Sequence, residues 1–122
     1  DAWNERRRTI AQRYTAGLAE LPGLDLPAVP AAVEHVFHLY VVRTRQRDAL
    51  RAFLAERGIA AGVHYPRAVH EQGAYQHLGY GAGSCPNAEA AARKVLSLPI
   101  FPHLADAEVD RVVDAVHAFF EL

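Results

Sequence analysis

Apolar side chains at positions 109, 112, 113, 116, 119 and 120 repeat with the i, i+3, i+4, i+7 spacing of one helix face, while Asp110, Arg111 and Asp114 fall outside it. This stripe predicts the last helix of the chain. A second stripe, Trp3, Ile10, Tyr14, Leu18 and Leu21, predicts an amphipathic helix over 2–21 that ends at Pro22-Gly23, with Arg6, Arg7, Arg8 and Arg13 as its solvated face. Leu50, Phe53 and Leu54 predict a helix over 47–57. Gly58 followed by apolar Ile59 fits a left-handed cap whose next residue packs back on the last turn. Ala88, Ala91, Ala92 and Val95 predict a helix over 87–95, opened by Pro86, with a small-residue face able to approach a sheet.

Between these helices the pattern changes. His35–Thr44 is rich in β-branched and aromatic residues with few polar positions, which predicts a central strand covered on both faces. Gly58–Pro66 runs from apolar residues into His64-Tyr65-Pro66 and predicts a second strand that delivers an imidazole and a phenol to a rim. Leu96–Ile100 predicts a third strand, which Pro99 confines to an edge or a strand end. Prolines at 22, 27 and 30 make the first connector extended, and glycines at 79, 81 and 83 mark a loop after the polar stretch 67–78. The implied fold class is α+β: a small, about three-stranded, largely antiparallel sheet covered by helices, within a single domain of residues 1–122.

Composition narrows the function. With 51% hydrophobic residues, 22% charged residues and a net charge of -1, the chain reads as soluble and globular, with no basic excess for nucleic acid or an anionic membrane. No apolar run is long enough to span a bilayer. The single cysteine, Cys85, excludes an internal disulfide and points to a reducing cytoplasm. The absence of methionine implies that position 1 is not a translation start and that the chain is a processed product or part of a longer polypeptide.

The candidate chemistry is limited. Of the seven histidines, His35 and His38 stand three apart on a predicted strand and so point to opposite faces, and no metal site is expected. Cys85 has no histidine placed beside it, and Lys94 falls on the solvent side of its helix, unsuited to a desolvated Schiff-base amine. His64, Tyr65, Arg67, His70, Gln72 and Tyr75 remain, a set suited to holding a hydroxyl-rich or phosphate-bearing ligand. Nothing in that set supplies an electron sink or an activated nucleophile, so no catalytic residue is expected within this chain.

The motifs Gly58-Ile59, Val63-His64-Tyr65-Pro66, His70 with Gln72, Ala74-Tyr75, Pro86 with Ala88-Glu89, and Val95-Leu96-Ser97-Leu98-Pro99-Ile100 with Pro102 occur here in order. Together with Arg8, Ile10-Ala11, Tyr14, Tyr40-Val41-Val42, Arg47-Asp48 and Glu108-Val109, the chain resembles the C-terminal domain of the DegT/DnrJ/StrS family of sugar aminotransferases. The resemblance implies the small domain of the aspartate aminotransferase fold, with 1–21 as a connecting helix and 22–122 as an α/β sandwich. It further implies a pyridoxal-phosphate enzyme that moves an amino group, usually from glutamate, onto a nucleotide-linked keto sugar. The Schiff-base lysine and most cofactor contacts would lie in a large N-terminal domain of the same polypeptide, and the enzyme would be a homodimer. His64, Tyr65, Arg67 and His70 would then form the substrate side of the cleft. A binding or dimerisation module of the same fold, or a domain of a related dehydratase, are the alternatives. Ala68 stands where the family often has a second proline, and Ala105 where it tends to open the last helix with threonine, leaving Asp106 as the expected cap.

Overall fold

Val109, Val112 and Val116 all turn inward from α4 (Asp106–Phe120) against Ile10, Tyr14 and Leu18 of the N-terminal segment, and these six are at most 4% exposed. The computed structural model describes residues 1–122, and its first helix is α1 (Ala2–Gly17). Where α1 and α4 cross, a Cβ on Gly17 would stand 2.9 Å from Val113 Cγ1, so the glycine sets how closely the helices approach. The His117 Nε2 to Gly17 carbonyl contact of 2.7 Å joins them at the same point. Each fully buried aliphatic side chain here is worth about 1.5–3 kcal/mol gross.

The sheet is a two-stranded antiparallel pair, β1 (Tyr40–Arg43) and β2 (Val95–Leu98), in the register Tyr40 to Leu98 and Arg43 to Val95. Single antiparallel bridges flank it on both sides, Asp25 to Arg43 beyond β1 and Gly62 to Ser97 beyond β2. Helix α2 (Arg47–Glu56) follows β1 and α3 (Pro86–Lys94) precedes β2. Two short 3-10 turns, Val69–Glu71 and Gly73–Leu78, lie in the excursion between. The α+β class and the antiparallel pairing agree with the sequence reading.

The α2 terminus matches its expectation closely. Gly58 has φ +71°, its amide bonds Ala55 and that of Ile59 bonds Leu54, and Ile59 is buried against the core.

Several local expectations are corrected. The strand expected over 35–44 contains only Tyr40–Arg43; His35, Val36 and His38 are exposed, and His35 Nδ1 instead accepts the Phe37 amide at 2.8 Å. It is β2, not β1, that is covered on both faces, since all four of its residues are buried whereas Arg43 of β1 is exposed. The expected strand over 58–66 shrinks to one bridge at Gly62; Ile59, Ala61 and Val63 pack on the core without a ladder, and 64–66 are exposed. Trp3 is 67% exposed, off the apolar stripe assigned to it.

Of the four arginines of α1, Arg13 is exposed as expected, but Arg6, Arg7 and Arg8 are not a solvated face. Arg6 donates to the Leu104 carbonyl and Asp106, Arg7 to the carbonyls of Phe37, His38 and Ile100, and Arg8 pairs with Glu5 and Glu34. Asp106 is therefore taken up by Arg6 and Arg13 and does not cap α4; Glu108 reaches back to the Ala105 amide at 2.9 Å in that role.

Candidate functional site

Ile59 anchors the segment that leads to the site, and the two hydrogen bonds between Gly62 and Ser97, 3.0 and 2.7 Å, fix its height on β2. His64 follows two residues later with its ring folded back. Its Nδ1 lies 2.9 Å from Ser97 Oγ, and a Cβ on Gly62 would come within 2.7 Å of its Cε1, so only glycine leaves room for the ring. The Tyr65 ring meets the imidazole edge-on at 5.6 Å and 79°. The peptide bond joining His64 to Tyr65 is cis. His64, Tyr65, Pro66 and Arg67 are all exposed, Tyr65 to 69%. They form a polar and aromatic rim standing on a buried apolar base, suited to hydroxyl or phosphate oxygens.

His70 is placed differently from its expectation. Its Nε2 is 2.9 Å from Glu89 Oε1 and its side chain is 9% exposed, so this nitrogen is spent inside the chain. Glu89 also accepts the Gly83 amide on both oxygens, at 2.8 and 3.0 Å, and the Cys85 amide at 3.3 Å. The Gly83 amide first, and His70 second, hold the Glu89 carboxyl below the usual glutamate range. Glu71 accepts the Ala68 amide at 3.0 Å. Ligand atoms of His70, Glu71 and Glu89 lie within 4.8 Å of one another, but their oxygens already accept these internal donors, and the group serves to fix the loop. Gln72 is half-buried, and Tyr75 and Tyr80 are exposed further along.

Lys94 lies at the end of α3 and lines a shallow polar cavity with Asp25, Thr44 and Arg45. That cavity is at the Asp25 edge of the sheet, opposite the Gly62 edge that carries His64. The chain thus offers no amine beside His64 for an aldehyde cofactor. The largest cavity, about 700 Å³, lies between α1 and the connector, lined by Ala11, Thr15, Val29, Val33 and Phe37, and includes none of the rim residues.

Two residues of this constellation were not singled out from sequence. Ser97 is the one polar residue in the apolar run Val95–Ile100 and is 5% exposed, and a lone hydroxyl inside a buried strand signals a partner. Glu89 falls in the first turn of α3, where a carboxylate faces unpaired amides.

Residues 1–117 match the sequence model of the DegT/DnrJ/EryC1/StrS aminotransferase family. The chain is 48% identical over 121 residues to a dTDP-3-amino-3,4,6-trideoxy-alpha-D-glucose transaminase of Streptomyces venezuelae, a match covering 99% of this chain and 32% of that protein. The crystal structure of S. venezuelae DesV superposes with a TM-score of 0.98 at 48% identity, covering 100% of this chain and 33% of that one. Spr1654 from Streptococcus pneumoniae, solved in a PLP-form, superposes at 0.88 with 30% identity, covering 98% of this chain and 31% of that one. The chain spans about a third of the length of the curated relatives it matches. No helix is long and apolar enough to cross a membrane.

Proposed function

Because this chain belongs to the DegT/DnrJ/EryC1/StrS aminotransferase family, we propose that it is the small C-terminal domain of an aminotransferase acting on a nucleotide-linked keto sugar, with glutamate as amino donor and pyridoxal phosphate as cofactor. The observation that carries this reading is the match along 99% of the chain to a dTDP-amino-sugar transaminase. A PLP-form of Spr1654 supports the cofactor. The lysine that binds it belongs, in this reading, to a larger N-terminal domain of the same polypeptide, in keeping with the position of Lys94 at the far edge of the sheet. The assembly is a cytoplasmic homodimer.

When bound, the cofactor supplies the electron sink for amino-group exchange; the residues of this chain bind and orient. His64 and Tyr65 contact the sugar or nucleotide, and the exposed Arg67 guanidinium offers a charged, two-pronged donor to phosphate oxygens. His70 contributes from behind by fixing the loop through Glu89.

The test is His64→Ala in the full-length enzyme. The expected result is a fall of about tenfold or more in kcat/KM for the keto sugar, the size of one charged or well-placed hydrogen bond, with cofactor absorbance and reaction with the amino donor retained. Loss of cofactor with sugar handling intact would overturn the assignment.

A further inference from the structure

We infer that Ser97 is a positioning residue that sets the tautomer of His64, so that the imidazole presents an Nε2–H donor to an oxygen atom of the bound ligand. The inference rests on the substrate-side reading of His64 and deepens it. It begins with the hydroxyl. Ser97 is 5% exposed in the middle of β2, where its backbone is bridged to Val41 on one side and Gly62 on the other, so its Cα cannot shift without breaking two pairings. The one hydrogen bond its side chain makes is to His64 Nδ1, at 2.9 Å.

A buried hydroxyl carries one proton and must direct it at an acceptor or forfeit the desolvation of that donor. If Nδ1 held the proton, the imidazole would donate to Ser97 Oγ and the serine proton would have no acceptor. With Nδ1 bare, the serine donates to it and both groups are satisfied. The tautomer of a neutral histidine is set by the bond its other nitrogen makes, which leaves Nε2 protonated.

Rotation of the ring away from this arrangement breaks its bond to Ser97. Gly62 lies under Cε1, close enough that even a methyl group would collide, and the Tyr65 ring stands against the imidazole. Nε2 makes no bond within the chain and belongs to a residue on the exposed rim. Such a donor recognises carbonyl, hydroxyl or phosphate oxygens and discriminates against ligand groups that can only donate.

The experiment uses the full-length, cofactor-loaded enzyme with 15N-labelled histidine, the His64 signals being assigned by their loss in His64→Ala. In the wild-type protein the expected signature is an unprotonated, pyridine-type Nδ1 and a protonated Nε2. Ser97→Ala should give a mixture of tautomers and a fall of about three- to tenfold in kcat/KM for the keto sugar, the reach of one neutral hydrogen bond. The amino-donor half-reaction should be unchanged, and Ser97→Thr, which keeps the hydroxyl, should restore both signature and rate. A protonated Nδ1 in the wild type overturns the inference without recourse to any variant, as does a Ser97→Ala spectrum identical to the wild type. A sugar step impaired by His64→Ala but with no tautomer change in Ser97→Ala removes the Ser97 assignment and leaves the substrate reading standing. An unimpaired His64→Ala removes both.

Discussion

His70 Nε2 and Glu89 Oε1 stand 2.9 Å apart across nineteen residues of chain, and this contact closes the excursion 66–85 onto the first turn of α3. The carboxylate is the hub, since it also takes the Gly83 and Cys85 amides. Glu89→Ala should leave those amides unpaired and lower their protection against hydrogen exchange by at least about tenfold, with the amides of β1 and β2 unaffected.

The pH dependence of the same contact follows from the direction of the Glu89 shift. A carboxyl held below its ordinary value in the folded state contributes stability that is fully present above the unfolded glutamate pKa, about 4.3, and is lost as pH falls through the folded value. The protection factors of Gly83 and Cys85, taken against the intrinsic exchange rate at each pH, should therefore fall in acid below about pH 4. Glu89→Gln should abolish that acid limb. An acid limb retained in the variant would assign it to another group.

Arg47 should be the most costly single charge to remove. It is 9% exposed at the start of α2, donates through Nη1 to the carbonyls of Ala92 and Val95 at 3.1 and 3.2 Å, and meets Asp48 through Nε. Arg47→Met keeps the stem but orphans two carbonyls at the junction of α3 and β2. Urea unfolding should show a loss of about 2–4 kcal/mol, with Arg47→Lys intermediate because one ammonium cannot reproduce the fork.

Tyr14 predicts an alkaline limb. Its hydroxyl donates to the Pro99 carbonyl at 2.7 Å, and burial, reinforced by neighbouring Tyr40, pushes its pKa well above the ordinary value. A raised pKa stabilises the fold below the unfolded tyrosine value of about 10, and that contribution declines as pH rises beyond it. Tyr14→Phe should cost about 0.5–1.5 kcal/mol at neutral pH and flatten the loss of stability above pH 10, read by thermal melts across the alkaline range.

Gly62→Ala separates stability from site geometry. A Cβ there would stand 2.7 Å from His64 Cε1, and the three nearest atoms it would meet all belong to that ring, so the ring should be displaced from Ser97. The keto-sugar step should weaken by about the same three- to tenfold as in Ser97→Ala, while the melting temperature moves little. Full activity with an undisturbed His64 spectrum would show that the ring stays on Ser97 in spite of the added methyl group.

Residues whose behaviour is decided by near neighbours were legible from the chain. Gly58-Ile59 specified its helix terminus because the cap involves only the last turn of α2, and the 109/112/116 stripe specified α4 because burial follows the helical period. Residues whose partners are distant were not. Arg7 reads as a solvated helix side chain until the carbonyls of Phe37 and Ile100 are brought to it from 30 and 93 residues away. His35–Leu39 has strand composition, yet its Phe37 and His38 carbonyls accept the Arg7 guanidinium of α1, and no strand pairs with it. The site was half visible: His64-Tyr65 announced itself as polar groups at the end of an apolar run, whereas the roles of Ser97 and Glu89 depend on loop closure across 33 and 19 residues.

The excursion 66–85 leaves the scaffold just beyond Gly62 and rejoins it at α3, and the contacts that fasten its far end converge on one carboxylate. The loop is thereby a detachable cassette. Exchange of its exposed side chains, such as Val69, Tyr75 and Tyr80, should leave the β1–β2 pair and the α1–α4 crossing as they are, provided that a donor remains at position 70, Glu89 is kept and the buried Ala68 stays small. Where those side chains meet the ligand, a change of ligand preference made there requires no redesign of the core.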